Sequence, residues 1–246
     1  MRIALLSDIH ANAQALDACL AHAQARGAAR FVFLGDLVGY GADSQAVVRT
    51  VAARVADGAV AIKGNHDEAI GQRAGYFNDA AQAALDHARA TLDPDDKRFL
   101  SQLPLIVHEA DICFVHASAA SPAKWDYIDS PAEAARCANA AGARYTFCGH
   151  VHDQALYFES GEGRMREFRP VAGVPIPVRA GRRWVAIVGS VGQPRDRNPA
   201  SAYALFDASA SELTFYRVAY DAAAAAARIR ASGLPESLAY RVEQGI

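Results

Sequence analysis

Five of the eight histidines in this 246-residue chain fall in short clusters with aspartate, asparagine and glycine. The clusters are Ser7-Asp8-Ile9-His10, Lys63-Gly64-Asn65-His66-Asp67, His116 and Gly149-His150-Val151-His152, and Asp36 follows Gly35 in the same manner. Carboxylate, carboxamide and imidazole without thiolate suit borderline divalent cations such as Mn, Fe, Co, Ni or Zn. Asp8 and His10 are two residues apart, as are His150 and His152; in extended backbone the members of each pair point the same way. Asp8, His10, Asp36, Asn65, His116, His150 and His152 make seven candidate ligands. Seven exceed the needs of one catalytic ion that keeps an open position, but suit two ions sharing one carboxylate. Such pairs, about 3.5–4 Å apart, clamp a phosphate between them.

Each group follows a short apolar run. Ile3–Leu6, Phe31–Leu34, Val60–Ile62, Ile112–Val115 and Tyr145–Cys148 read as buried strands, rich in β-branched and aromatic residues. The ligand-capable residues therefore stand at strand C-terminal ends, where open α/β sheets bind ligands. Helical patterns lie between: one capped by Asn12 and running to Gly27, with Leu16, Cys19, Leu20 and Ala23 on its apolar side, and one from Asp43 to Gly58. Asp93-Pro94 and Ser130-Pro131-Ala132-Glu133 open two more, the latter as a capping box. This alternation predicts largely parallel pairing with helices outside. Beyond residue 155, Tyr157–Phe158, Val185–Val188, Ala202–Phe206 and Leu213–Val218 predict a second, partly antiparallel sheet packed on the first, and Ala222–Ala227 a closing helix. With no linker composition and no repeat, one domain over 1–246 is expected.

The chain is 52% hydrophobic with net charge −2, so no global basic field argues for a stable nucleic-acid or membrane complex. The apolar start is too short for a signal-peptide core or a membrane span. Cys19, Cys113, Cys137 and Cys148 are scattered without a C-x-x-C pair. A cytoplasmic setting is expected. Cys113 and Cys148 lie near His116 and His150; a thiolate ligand is conceivable, and a small buried hydrophobe is the simpler expectation.

Taken in order, Asp8-x-His10, Gly35-Asp36, Gly64-Asn65-His66-Asp67, His116 and Gly149-His150-x-His152 resemble the motif set of the calcineurin-like metallophosphoesterases. Gly189-Ser190-Val191-Gly192-Gln193-Pro194-Arg195-Asp196 extends the likeness toward the small prokaryotic phosphodiesterase branch. The resemblance implies a double-ψ or sandwich-like α/β/β/α core: two packed mixed β-sheets flanked by helices. It implies two divalent ions, one on Asp8, His10, Asp36 and His152, the other on Asp36, Asn65, His116 and His150, with Asp36 as the bridge. A water or hydroxide between them is the implied nucleophile. Asn65 and His66 are the implied catalytic pair, His66 contacting the phosphate or protonating the leaving oxygen.

Departures bear on substrate. Protein-phosphatase relatives carry Gly-Asp-x-Val-Asp-Arg-Gly where this chain has Gly35-Asp36-Leu37-Val38-Gly39-Tyr40-Gly41. The arginine that grips a phosphomonoester is replaced by Tyr40, and the aspartate that orients the catalytic histidine by Gly39. A small phosphodiester or nucleotide is therefore the expected substrate, ahead of a phosphomonoester or phosphoprotein. An inactive metal-binding scaffold on the same fold is the alternative. Arg195 is the leading substrate contact among eight arginines between Arg164 and Arg197, the rest reading as a solvated face. Tyr40, Trp125 and Tyr127 are further candidates for lining a pocket, and Asp67 either positions His66 or starts a helix.

Overall fold

A computed structural model describes residues 1–71 and 77–246. The N-terminal part alternates β1 (Arg2–Leu6), α1 (Ala13–Ala25), β2 (Arg30–Phe33), α2 (Ser44–Ala56) and β3 (Val60–Ala61). Three helices follow, α3 (Asn65–Gly71), α4 (Asp79–Thr91) and α5 (Pro94–Gln102), then the hairpin β4 (Ile106–Glu109) and β5 (Ile112–Val115). Next come α6 (Pro131–Ala141), β6 (Tyr145–Cys148), β7 (Gln154–Glu159), β8 (Met165–Phe168), β9 (Pro175–Pro177) and β10 (Trp184–Val188). The antiparallel pair β11 (Ser201–Asp207) and β12 (Glu212–Val218) precedes the helices α7 (Ala222–Ala231) and α8 (Glu236–Gln244).

Two six-stranded mixed sheets result, ordered β3-β2-β1-β11-β12-β9 and β4-β5-β6-β10-β7-β8. This corrects the expected division. The early strands do not form one sheet with the late strands forming another. β1, β2 and β3 pair in parallel in the first sheet; β5 and β6 pair in parallel in the second. The later strands complete both: β11 runs antiparallel beside β1, and β10 parallel beside β6. Alternating side chains explain why both sheets need partners on both faces. Ile3, Leu5, Val32, Leu34 and Phe206 turn inward to meet Phe114, Phe147 and Ala186 between the sheets. Ala4, Leu6, Phe31 and Phe33 turn outward against α1 and α2, and Cys113, Val115, Val185 and Ile187 outward against α6. The order of layers is thus helix, sheet, sheet, helix.

Local signals act as their chemistry dictates. Asn12 Oδ1 accepts the Ala15 N–H at 3.1 Å, and Asp93 and Asp96 form a reciprocal capping box at α5. At α6 only half of the expected box forms: Ser130 Oγ accepts from Glu133 N–H, while the Glu133 carboxylate is drawn to Arg136. Asp43 stands at the start of α2, but its carboxylate binds Arg228 instead of capping. The closing helix became two, with Gly233 between them and Arg230 bonded to Glu236 and Glu243 across the turn. No helix among the described residues is long and apolar enough to cross a membrane.

Phe206 of one sheet meets Tyr145 and Phe147 of the other at 4.9 and 5.2 Å between ring centroids. Phe206→Ala is expected to cost about 3–5 kcal/mol of stability, read from the urea midpoint at unchanged slope.

Candidate metal centre

The five early strands end at one shared edge of both sheets, and the turns leaving them carry the expected ligands. The pairs Asp8/His10 and His150/His152 do converge, but not through pleat alternation. β1 stops at Leu6 and β6 at Cys148, and Asp8, His10, Asp36, His150 and His152 all adopt left-handed backbone, with φ of 53°, 49°, 53°, 66° and 71°. For side chains with a Cβ this conformation is strained, of order 1–3 kcal/mol each, and must be held by its surroundings. Ser190 Oγ donates to the Asp8 carbonyl at 2.8 Å and Gly192 N–H donates to the same oxygen at 2.9 Å. Asp67 Oδ1 accepts the Leu37 N–H and Oδ2 the Gly64 N–H, both at 2.9 Å, so it ties together the turns bearing Asp36 and His66.

Three imidazoles are fixed from behind. Nδ1 of His10 donates to the Val38 carbonyl (3.1 Å), Nδ1 of His116 to that of Leu34 (2.7 Å) and Nδ1 of His152 to that of Gln193 (2.6 Å). A carbonyl only accepts, so a proton sits on Nδ1 and Nε2 is the nitrogen aimed into the site, a lone pair whenever the ring is neutral. The carboxylates are fixed likewise. Asp8 Oδ2 accepts the His150 N–H at 2.9 Å and Asp36 Oδ1 the His66 N–H at 2.8 Å, leaving one oxygen of each to face the imidazoles.

Those free atoms crowd together. His10 Nε2 and His152 Nε2 are 3.2 Å apart, and Asp8 Oδ1 lies 3.2 Å from the second and 3.8 Å from the first. Asp36 Oδ2 stands between His10 Nε2 (3.7 Å) and His116 Nε2 (3.4 Å), and Asn65 Oδ1 is 3.3 Å from His116 Nε2. Asp8, Asp36, His10, His116 and His152 are at most 2% exposed, and Asp8 Oδ1 accepts no hydrogen bond. Acceptors packed against acceptors in dry surroundings are stable only with positive charge among them, so the donor set fits divalent cations. Ligand atoms of Asp8, His10 and His152 lie close enough together to hold one ion, and those of Asp36, His116 and His150 another.

Protonation follows the same logic. Burial opposes ionisation of Asp8 and Asp36, yet the neighbouring histidines hold both below the usual carboxylate range. Burial also opposes charge on His116, but Asp36, Asp8 and the Leu34 carbonyl together lift the imidazole to about 9, so in the absence of a cation its Nε2 takes up a proton, the same demand for positive charge met another way. Burial pushes His66 and His150 down to about 4, and His10 well below its ordinary value. Asp67 is raised to about 7 by burial and by Asp36.

A cavity of about 260 Å³ opens beside the cluster, lined by Asp36, Asn65, His66, His150, His152, Tyr40, Tyr127, Phe77, Asn78, Ala81 and Arg195. Arg195 alone of the eight clustered arginines reaches it; Arg166, Arg169 and Arg183 pair with glutamates elsewhere. Arg195 makes no ion pair among the described residues, and its guanidinium sits 5.9 Å over the Tyr40 ring. Trp125 lies edge-on to His116 outside that lining. Phe77 and Asn78 were not anticipated; the only trace of them is Asn78 preceding an alanine-rich helix that it caps. Cys113 and Cys148 are free and buried in the apolar layer against α6, where burial raises both thiols. His22 meets Tyr203 and His87 the Ala42 carbonyl, while His108 is exposed, all apart from the site.

A four-layer sandwich with this cluster at its shared strand edge has the metallophosphoesterase architecture. The chain belongs to the calcineurin-like phosphoesterase superfamily, whose domain matches residues 1–211. It is 34% identical to a metallophosphoesterase of Sphaerobacter thermophilus, with a TM-score of 0.89 covering 100% of this chain and 99% of that one. An uncharacterized protein of Methanocaldococcus jannaschii is 30% identical over 249 residues, 99% of this chain and 98% of the other. A hypothetical protein of Pyrococcus horikoshii, 21% identical with a TM-score of 0.80 over 100% and 98% of the two chains, shares the fold. The family is metal-dependent, and this chain brings together aspartates and histidines able to bind metal.

Gly64 packs against Asp36 so closely that an added Cβ would overlap its carboxylate. Gly64→Ala is therefore expected to weaken metal uptake roughly 10–100-fold with far-UV circular dichroism unchanged, checked by equilibrium dialysis and elemental analysis.

Proposed function

We propose that the protein hydrolyses phosphodiesters or small nucleotide phosphates at a centre of two divalent ions. The observation that carries this reading is Asp36 Oδ2, a single carboxylate oxygen facing His10 on one side and His116 on the other. Asp8, His10, Asp36 and His152 would hold one ion, and Asp36, Asn65, His116 and His150 the second. Bound ions of this kind supply Lewis acidity toward phosphoryl oxygens and bring the pKa of water toward roughly 7.

The chain's own residues do the rest. His66 lines the cavity, and its Nδ1 is enclosed against Gly39 without a hydrogen-bond partner. Its Nε2 is the nitrogen left to meet the phosphate or to give a proton to the leaving oxygen. Among the described residues no carboxylate hydrogen-bonds to the ring; Tyr40, Phe77 and His10 pack around it at 4.6, 5.0 and 4.9 Å between centroids. Arg195, hydrogen-bonded to Gln193 Oε1 and without an ion pair among the described residues, attracts a non-bridging phosphoryl oxygen. With Tyr40 in place of a second arginine, the described residues of the lining offer one guanidinium, Arg195, which suits the single charge of a diester better than a dianionic monoester. A pure scaffold needs ligands but has no use for a buried histidine opening onto the cavity beside them, which favours an enzyme.

Purified protein is expected to carry about two ions per chain and to hydrolyse bis-p-nitrophenyl phosphate in Mn, with turnover lost in EDTA. One ion or none, with no turnover after reconstitution, makes the scaffold the better account. His66→Ala should lower kcat by roughly 10²–10⁴-fold while metal content stays unchanged. Asp36→Ala should release both ions and do more damage than His10→Ala; equal residual activity in the two variants at matched folding counts against a shared carboxylate.

A further inference from the structure

Of the four histidines among the candidate metal ligands, three are held by a carbonyl behind Nδ1, and the fourth, His150, is not. Among the described residues, the hydrogen bond recorded for His150 runs from its backbone N–H to Asp8, and neither ring nitrogen has a partner. Its ring lies instead flat against Tyr127, with centroids 4.3 Å apart and planes 20° from parallel, while His116 meets it edge-on at 5.0 Å. Tyr127 belongs to the connection between β5 and α6 and is 50% exposed. Its hydroxyl has no hydrogen bond among the described residues, so the stack on His150 is its one ring contact there. A large aromatic left half in water and seated on a buried imidazole calls for an explanation beyond core packing.

A hydrogen bond to Nδ1 fixes both the plane and the tautomer of a ligand imidazole, and raises its basicity. A stacked ring fixes the plane alone. We infer that Tyr127 is the positioning residue for His150, and that through it the tyrosine sets how firmly the ion on the Asp36–Asn65–His116–His150 side is held. It follows that this side is the more exchangeable of the two. The inference rests on the two-ion reading above.

The test is calorimetric titration of Mn²⁺ into metal-stripped full-length protein, with elemental analysis of the dialysed product. Wild type should show two sites. Tyr127→Ala should leave one as in wild type and weaken the other about tenfold or more, the scale for losing a group that orients a ligand. Tyr127→Phe, which keeps the stack and loses only the hydroxyl, should match wild type at both sites. In a His150→Ala background, Tyr127→Ala should change nothing further, since the two act as a unit. Circular dichroism and the melting temperature of the stripped proteins establish that each variant is folded. Unchanged binding in Tyr127→Ala, equal weakening of both sites, or Tyr127→Phe behaving as Tyr127→Ala overturns the inference alone. A wild type that takes up fewer than two ions overturns the two-ion reading and this inference with it.

Discussion

Two carboxylates and the Nε2 atoms of three imidazoles, all buried, face one another across 3.2–3.8 Å at one edge of the sandwich. Left to themselves such groups repel, and each would gain by turning toward water. The neighbourhood is built to prevent that. Carbonyls of Leu34, Val38 and Gln193 pin the imidazoles, backbone N–H groups of His66 and His150 pin the carboxylates, and the turns carrying them are forced into left-handed conformations. Strain of this kind persists only where surrounding structure over-determines it. Ser190, Gln193 and Asp67 supply that restraint from outside the cavity lining, which is why polar residues so deeply buried occur in those loops at all.

The gathering of the candidate ligands was legible because each is a chemically unusual residue at the end of an apolar run, and because the runs recur in a fixed order. Strand positions and several caps were equally plain, since Asn12 and Asp93 act locally on the backbone next to them. What failed was whatever depends on distant partners. Apolar, β-branched runs buried on both faces look alike whichever sheet they join, so the allocation of β5 and β6 to a different sheet from β1 to β3 could not be read from their composition. The spacing of two between paired ligands gave the right convergence for the wrong reason: the residues stand in turns just beyond the strands, where pleat alternation no longer applies. The half-formed box at Ser130 shows the same limit, since Glu133 had a choice of partner that only three-dimensional packing decides.

Gly39 and Tyr40 show how two adjacent departures from a motif change a site together. Gly39 leaves room directly against His66 Nδ1 and supplies no carboxylate. Tyr40, itself left-handed at φ 59°, packs its ring against both His10 and His66 and beneath Arg195. Aromatic rings, not a hydrogen-bonded carboxylate, thereby surround the His66 ring, and among the described residues of the cavity lining Arg195 is the one guanidinium.

All the candidate ligands lie between residues 8 and 152, yet the strands beside them arrive later. β1 is closed on one side by β11, β6 by β10, and the Asp8 turn by residues Ser190 to Gly192. A growing polypeptide that has displayed every candidate ligand to solvent still lacks the walls that aim them. Metal encountered at that stage finds a flexible chain with unaimed side chains and gains little of the chelate advantage. Loading is thus timed by topology to follow completion of both sheets, and a truncated or unfinished product retains the full motif set while having nowhere to put an ion.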